Sequence, residues 1–327
     1  MGSLVTGIGY IGARLVEMLL DTGETVVGID NRFSTDPAAL RRLAQRPGFL
    51  LIEGDVADEA VLDRAFASGA RVDTVYHLAA QSSSNPSAAP TSYSEQTNLV
   101  GPRVVLERAC AAGVTCLVFG SSLQVYGRRV EGQVDESKPY GPILDISHLS
   151  KVYVEKLMEM FSHTRGLRCV AARLGLVYGL SPVMKTDPRF MTAPNRFALQ
   201  AARGEPLRVD ATAYYPTAMI HVDDACRGLI AVARCQSEGY TPVNLVGETA
   251  SVVQVAGLVR RLAEQRGLRV DLILPEQPPE VPECSFSSAL PGTAFEPRVP
   301  LENGVEQVLD FFLRRDPTPS QPEEDPE

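Results

Sequence analysis

Six residues near the start, Gly7-Ile8-Gly9-Tyr10-Ile11-Gly12, carry the G-x-G-x-x-G spacing that lets a backbone turn approach a diphosphate closely. They follow a short apolar run over 3–6 and open a helix-period stretch. In that setting the first glycine permits the turn, the second admits the pyrophosphate, and the third lets helix pack on strand. The phosphates would rest on free amides at the positive end of the helix. Asp30 ends the next strand, 18 residues after Gly12. A carboxylate there can accept from both hydroxyls of an adenosine ribose and repel a 2′-phosphate, which favours NAD over NADP, with Arg32 nearby leaving NADP open. Asp55, in Gly54-Asp55-Val56 after the third strand, suits either an adenine edge or an Asp turn. His221-Val222-Asp223-Asp224 reads as a strand end followed by an Asp-capped helix, so no metal site is expected.

These residues need a sheet with helices on both faces to bring them together. Apolar runs over 3–6, 25–30, 49–53, 74–79, 114–121 and 168–174 have strand length and suit buried parallel strands. Between them, 11–22, 37–45, 59–67, 94–112 and 147–163 repeat apolar residues at spacings of three and four, as helices do. The alternation predicts a doubly wound α/β (Rossmann) parallel sheet. After 174 the rhythm breaks, with helices over 195–203, 223–235 and 252–266, and strands over 218–222 and 242–245 that could return to the main sheet. The expected organisation is a dinucleotide-binding domain over 1–174 plus about 218–247, and a smaller C-terminal substrate lobe over about 175–217 plus 248–313. The acidic, proline-rich stretch 314–327 is read as a disordered tail, because it has too little apolar surface to offset its ordering entropy.

The 327 residues are 44% hydrophobic and 22% charged, with a formal net charge of −9. Five acids and no base lie in the last twelve residues. No basic footprint for nucleic acid or a membrane face is present. No apolar run approaches the roughly 20 residues that cross a bilayer, and MGSLVTGIG lacks the basic start of a signal peptide, so a cytoplasmic protein is expected. The six cysteines form no C-x-x-C pair, which leaves them as buried thiols.

From Val75 to Gly127 the motifs become more specific. VYHLAAQSSS, the Asn98-centred NLVGPRVVLERACAAGV and LVFGSSLQVYG, followed by RLGLVYG at Arg173, IHVDDA at His221 and FEPRVPLENGVEQV, resemble the extended short-chain dehydrogenase/reductase family, the NAD-dependent nucleotide-sugar epimerases and dehydratases. The resemblance covers about 3–313. It implies that Gly7, Gly9, Tyr10, Ile11, Gly12, Asp30, Asn31, Asp55, Val56, Leu78, Ala79, Ala80 and Asn98 surround NAD. It further implies that Ser122 hydrogen-bonds the sugar hydroxyl being oxidised and that Lys151 holds the nicotinamide ribose. The long helices over 94–112 and 147–163 pair in the family's homodimers, so a homodimer is expected.

Several positions depart from the family pattern. Its Tyr-x-x-x-Lys sets a phenol one turn from an ammonium that lowers the phenol's pKa. Here the stretch is Ser147-His148-Leu149-Ser150-Lys151, and an aliphatic hydroxyl is a poor base unless it relays its proton. Tyr140, in a loop seven residues upstream, is the best placed substitute; His148 and Tyr153 project away from the Lys151 face. Leu176 replaces an amide at the nucleotide diphosphate, and Thr217-Ala218-Met219 replaces an Arg-Asp-Phe whose arginine grips it. Arg189, Arg196, Arg203 and Arg208 lie near enough in sequence to substitute, with surface charge as the default for each. Leu123-Gln124 stands where dehydratases carry Asp-Glu, which disfavours that chemistry.

The expectation is an NAD-dependent epimerase or oxidoreductase acting on a nucleotide-sugar, or a related polar hydroxy or keto substrate, with Ser122, Ser147, Lys151 and Tyr140 at the reacting end. The alternative is a catalytically silent NAD-occupied sensor or scaffold of the same fold.

Overall fold

A computed structural model describes residues 2–83, 87–185, 187–288 and 295–315. Seven strands, β1 (Gly2–Thr6), β2 (Thr25–Asp30), β3 (Phe49–Glu53), β4 (Thr74–His77), β5 (Cys116–Ser122), β6 (Arg168–Leu174) and β7 (Tyr240–Leu245), form one parallel sheet in the order β7-β6-β5-β4-β1-β2-β3. Both faces are covered, and β1 is buried along its whole length, which is why the strands read as apolar runs. The covering helices are α1 (Tyr10–Asp21), α2 (Pro37–Leu43), α3 (Glu59–Phe66), α4 (Gly101–Ala111) and α5 (Ile146–Arg165). Strand order reverses between β1 and β4, and in such sheets the crevice beyond the strand ends at the reversal receives ligands.

The helix expected over 94–112 is interrupted. Thr91–Glu95 passes through a wide π-helical turn, Gln96–Val100, before α4 begins. Pro102 has no N–H to give the Asn98 carbonyl, so the regular ladder cannot run through this point.

The remainder supplies α6 (Ala193–Ala202), α7 (Val222–Arg234), α8 (Val252–Glu264) and α9 (Leu301–Arg315). One of the two strands expected to return to the main sheet does so: β7 pairs with β6. The other, Pro216–His221, pairs in parallel with Leu176–Tyr178 and antiparallel with Thr249–Ser251, making a separate three-stranded sheet. Most of the stretch expected as a tail, 316–327, lies outside the described residues; Arg314 and Arg315 still belong to α9.

Polar ties at Tyr10 join the cofactor half to the smaller lobe. The Tyr10 hydroxyl donates to the Gly179 carbonyl at 2.7 Å, and Ser181 Oγ donates to the Tyr10 carbonyl at 2.6 Å. Asn195, from α6, donates to Tyr10 at 3.2 Å and bonds both backbone groups of Gly179.

Candidate functional site

A continuous cavity of about 770 Å³ runs from the glycine turn past the ends of β1, β4 and β5 into the smaller lobe. Its floor is the turn itself. Gly7 has φ +79°, and a Cβ there would sit 2.6 Å from the Ala79 backbone; at Gly12 it would lie 1.9 Å from the Gly7 carbonyl oxygen. Gly9 differs, since only Thr35 Oγ1, at 3.9 Å, comes within 4 Å of such an atom. It caps α1 with no side-chain hydrogen bond and no acid in the first turn. Free amides, a positive helix end and open space above them fit a dinucleotide diphosphate.

Asp30 is 8% exposed at the end of β2. Its carboxylate accepts from Ile8 N at 2.8 Å, Arg32 N at 2.7 Å and Thr35 Oγ1 at 3.3 Å, so it also braces the turn. Burial pushes its pKa up, against these hydrogen bonds. The Arg32 guanidinium turns away to Glu53, at 2.6 Å, so the cation that could have greeted a 2′-phosphate is engaged.

Tyr10, Ile11, Asn31, Val56, Leu78, Ala79 and Ala80 line the walls, joined by a stacked pair that the motifs do not mark, Phe33 and Tyr93, with ring centres 4.0 Å apart. Asn31 Nδ2 donates to Tyr93 at 3.0 Å and to Asp55 at 2.9 Å. Two expected contacts do not line the cavity. Asp55 spends its other oxygen on Ala57 N, the Asp turn that was its alternative reading. Asn98, buried, grips the Gln81 backbone at both N–H (2.8 Å) and carbonyl (2.9 Å), and so holds the Ala79–Ala80 wall from behind.

At the reacting end, Ser122, Ser147 and Lys151 line the cavity together. Ser122 ends β5 and its Oγ accepts from Gln124 N at 3.2 Å. Ser147 sits in the first turn of α5, which Asp145 caps by accepting from His148 N. Lys151, one turn on, donates to the Gly120 carbonyl at 2.7 Å, and burial lowers its pKa to about 8. His77, hydrogen-bonded to Thr6 and stacked near Phe119, is pushed down to about 3 by burial and stays neutral.

Tyr140 does not enter this space. Its hydroxyl donates to Glu155 at 3.0 Å, in a buried knot where Glu155 also accepts from Ser121 (2.5 Å), Tyr240 (3.0 Å) and Arg173 (2.7 Å). A bonded pair this deep draws in every hydroxyl within reach, because an uncompensated lone pair there is costly. His148 is buried among packing side chains and Tyr153 is exposed on the outer face of α5.

From the segment after 174, Leu176, Tyr215 and Thr217 reach the cavity with the bases Lys185, Arg189, Arg196 and Arg208, and Arg128 joins them from the loop after β5. Three of the four arginines considered as substitutes are therefore there, and Arg203 is not. Arg189 is tied to Asp187 at 2.6 Å and to the Ser87 carbonyl. Burial lowers the pKa of Arg196, and lowers that of Lys185 to about 8. Sequence reasoning did not single out Lys185 or Arg128; the signal available for Lys185 was the rarity of lysine in this chain, and none marked Arg128. Among the described residues no cluster of three or more His, Cys, Asp or Glu could hold a metal ion, and no helix is long and apolar enough to cross a membrane.

A parallel sheet with a glycine turn, a buried acid at the end of β2 and a Ser/Lys end facing one cavity defines a dinucleotide-dependent enzyme fold of the extended short-chain dehydrogenase/reductase type. The model of the NAD dependent epimerase/dehydratase family matches residues 3–246, and the chain belongs to that family. Among relatives, the UDP-glucuronic acid decarboxylase 1 of Xenopus tropicalis is 28% identical over 324 residues, covering 95% of this chain and 72% of the relative. The UDP-glucose 4-epimerase of Thermotoga maritima, solved with UDP-glucose, superposes with a TM-score of 0.81 at 26% identity, covering 96% of this chain and 99% of that one. The UDP-glucose 4-epimerase of Thermus thermophilus, solved with NAD, gives 0.80 at 26% identity, with 95% and 99% covered. NAD is the cofactor of this family, and Gly7, Gly9, Gly12 and Asp30 are the residues whose geometry fits it.

Proposed function

We propose that the protein interconverts a hydroxyl and a ketone on the sugar ring of a UDP-hexose or UDP-hexuronate, the net outcome being epimerisation. The observation that carries this reading is the continuous cavity, which joins the glycine turn and Asp30 to a second, basic compartment through Ser122, Ser147 and Lys151. When bound, NAD supplies the hydride acceptor and donor. Ser122 positions the sugar hydroxyl, Lys151 holds the nicotinamide ribose, and the space a tyrosine would fill is left to Ser147. Arg196 and Arg208 stand in for the arginine replaced at Thr217, giving the nucleotide diphosphate its cations. The relatives named above, which act on or bind UDP-sugars, support that substrate class. The dimer expected from sequence would use the outer face of α5, where Leu149, Tyr153 and Met160 are exposed.

The test is to load the protein with NAD, add UDP-hexoses and UDP-hexuronates in turn, and follow reduced-nicotinamide absorbance and epimer formation by NMR. Reduction or epimerisation with at least one supports the reading. Ser147 favours one competitor, an NAD-holding protein without turnover; tight NAD binding with no reduction, unchanged by Ser147→Tyr, would establish that competitor instead.

A further inference from the structure

Lysine is scarce in this chain: among 31 basic residues only Lys138, Lys151, Lys156 and Lys185 are lysines. Two of these four line the cavity, where the other lining bases, Arg128, Arg189, Arg196 and Arg208, are arginines. A guanidinium keeps its proton in proteins, whereas a desolvated ammonium can lose one. Where this chain departs from arginine inside the cavity, it installs a base that can exchange a proton.

Lys151 has the geometry for that role. It stands one helical turn after Ser147, and helical side chains lean towards the N-terminus, so its stem rises over the Ser147 turn. Its Nζ meets the Gly120 carbonyl and lies 4.6 Å from the centre of the Phe119 ring. Among the described residues no carboxylate is hydrogen-bonded to it, and the Ser147 hydroxyl, on a residue 7% exposed, has no partner of its own. The titratable groups that face the amine do little to keep it charged. From β4, His77 is neutral. On α5, Glu155 is committed to Arg173 of β6 and to Ser121, Tyr140 and Tyr240. The other charges lining the cavity are Lys185, Arg128, Arg189, Arg196 and Arg208 with the carboxylates Asp30 and Asp210; Asp30 is bonded to the glycine turn, Asp210 caps the turn at Thr212, and neither is hydrogen-bonded to the amine. Burial accordingly brings the ammonium down to about 8, with Glu155 pulling the other way.

We propose that Lys151 is the proton acceptor of this site, drawing the proton of the substrate hydroxyl through the Ser147 hydroxyl in place of a phenol. The proposal rests on the oxidoreductase reading above. As the substrate C–H bond breaks and its electron pair leaves as hydride to oxidised nicotinamide, the O–H proton passes to Ser147 Oγ and the Ser147 proton passes to the neutral Lys151 amine. The products are a ketone, reduced nicotinamide and an ammonium, with Ser147 unchanged. On return of the hydride, the ammonium gives the proton back by the same path.

Two measurements decide it. Trace acylation of the full chain with acetic anhydride across pH, read by mass spectrometry at each lysine, should give Lys151 a midpoint near 8, well below that of exposed Lys156. A midpoint at or above that of Lys156 overturns the proposal. In single-turnover reduction by a UDP-hexose at saturating NAD, Lys151→Arg should slow reduction about 100-fold, the usual worth of a proton acceptor. The wild-type rate should fall as pH drops below about 8, and Ser147→Tyr should move that limb. Lys151→Arg holding NAD and reducing it within about tenfold of wild type would refute the assignment. If no UDP-sugar reduces NAD in a protein that binds it, the functional reading fails, and the acylation midpoint still decides whether Lys151 carries an exchangeable proton.

Discussion

The two ends of the cavity tolerate change very differently. At the glycine turn, backbone packs against backbone, and a single added carbon at Gly12 would lie 1.9 Å from a carbonyl oxygen. At the reacting end a small hydroxyl stands in the first turn of α5 where the family has a phenol, and helix, cap and lysine are all in place around it. Close backbone approach to a diphosphate has no chemical substitute, whereas a proton can be handed between different side chains. The changes of side chain therefore fall at Ser147, Leu176 and Thr217, while the turn, one residue shorter than the family's usual glycine loop, keeps the older G-x-G-x-x-G dinucleotide-binding spacing.

The largest effect should come from the support behind the reacting end. Glu155→Ala leaves Arg173 buried without its carboxylate, and urea unfolding should show a loss of about 3–5 kcal/mol. Next, Gly12→Ala should weaken NAD binding by about 100-fold in calorimetry, close to 3 kcal/mol, because the turn must open to admit the methyl group. An equally small change at the other end, Ser147→Ala, should leave NAD affinity within about twofold; equal losses at both positions would break the contrast between the two ends.

A smaller effect depends on pH. The folded-state pKa of Lys151, about 8, lies below its ordinary 10.5. Between those values the unfolded chain holds a proton that the folded chain has shed, so folding stability rises with pH through that window. Relative to Lys151→Met, wild-type stability should gain about 1–2 kcal/mol from about pH 8 to about pH 9.5; a flat difference would place the amine in water. The smallest change expected is at Arg196→Ala, with a loss of about 1 kcal/mol in UDP affinity and none in NAD affinity, which would separate the two compartments.

Much of the cofactor end was legible in the order of residues alone. The spacing of Gly7, Gly9 and Gly12 is a local requirement of one turn, while the pairing of β1 with β2 brings Asp30 to the Ile8 amide and the Ala79 backbone closes on Gly7. The reacting end was legible only as a set of types. Ser122, Ser147 and Lys151 do line one cavity, but Tyr140, the best substitute base by sequence, is captured by Glu155, which is held in place by Arg173 from β6. Asn98 was expected beside the dinucleotide because it lies in the right motif, yet its amide is matched to the Gln81 backbone across a loop.

Periodicity and turn chemistry alone specified the parallel sheet, its helices and the diphosphate floor, because these follow from which residues a strand, a helix or a tight turn will accept. Three outcomes needed the folded chain: the bases gathered around the second compartment, the strand Pro216–His221 diverted into its own small sheet, and the amine at Lys151 partly withdrawn from solvent. Each depends on segments tens of residues apart being packed against one another, and neither desolvation nor a partner's position is written in the order of neighbouring residues.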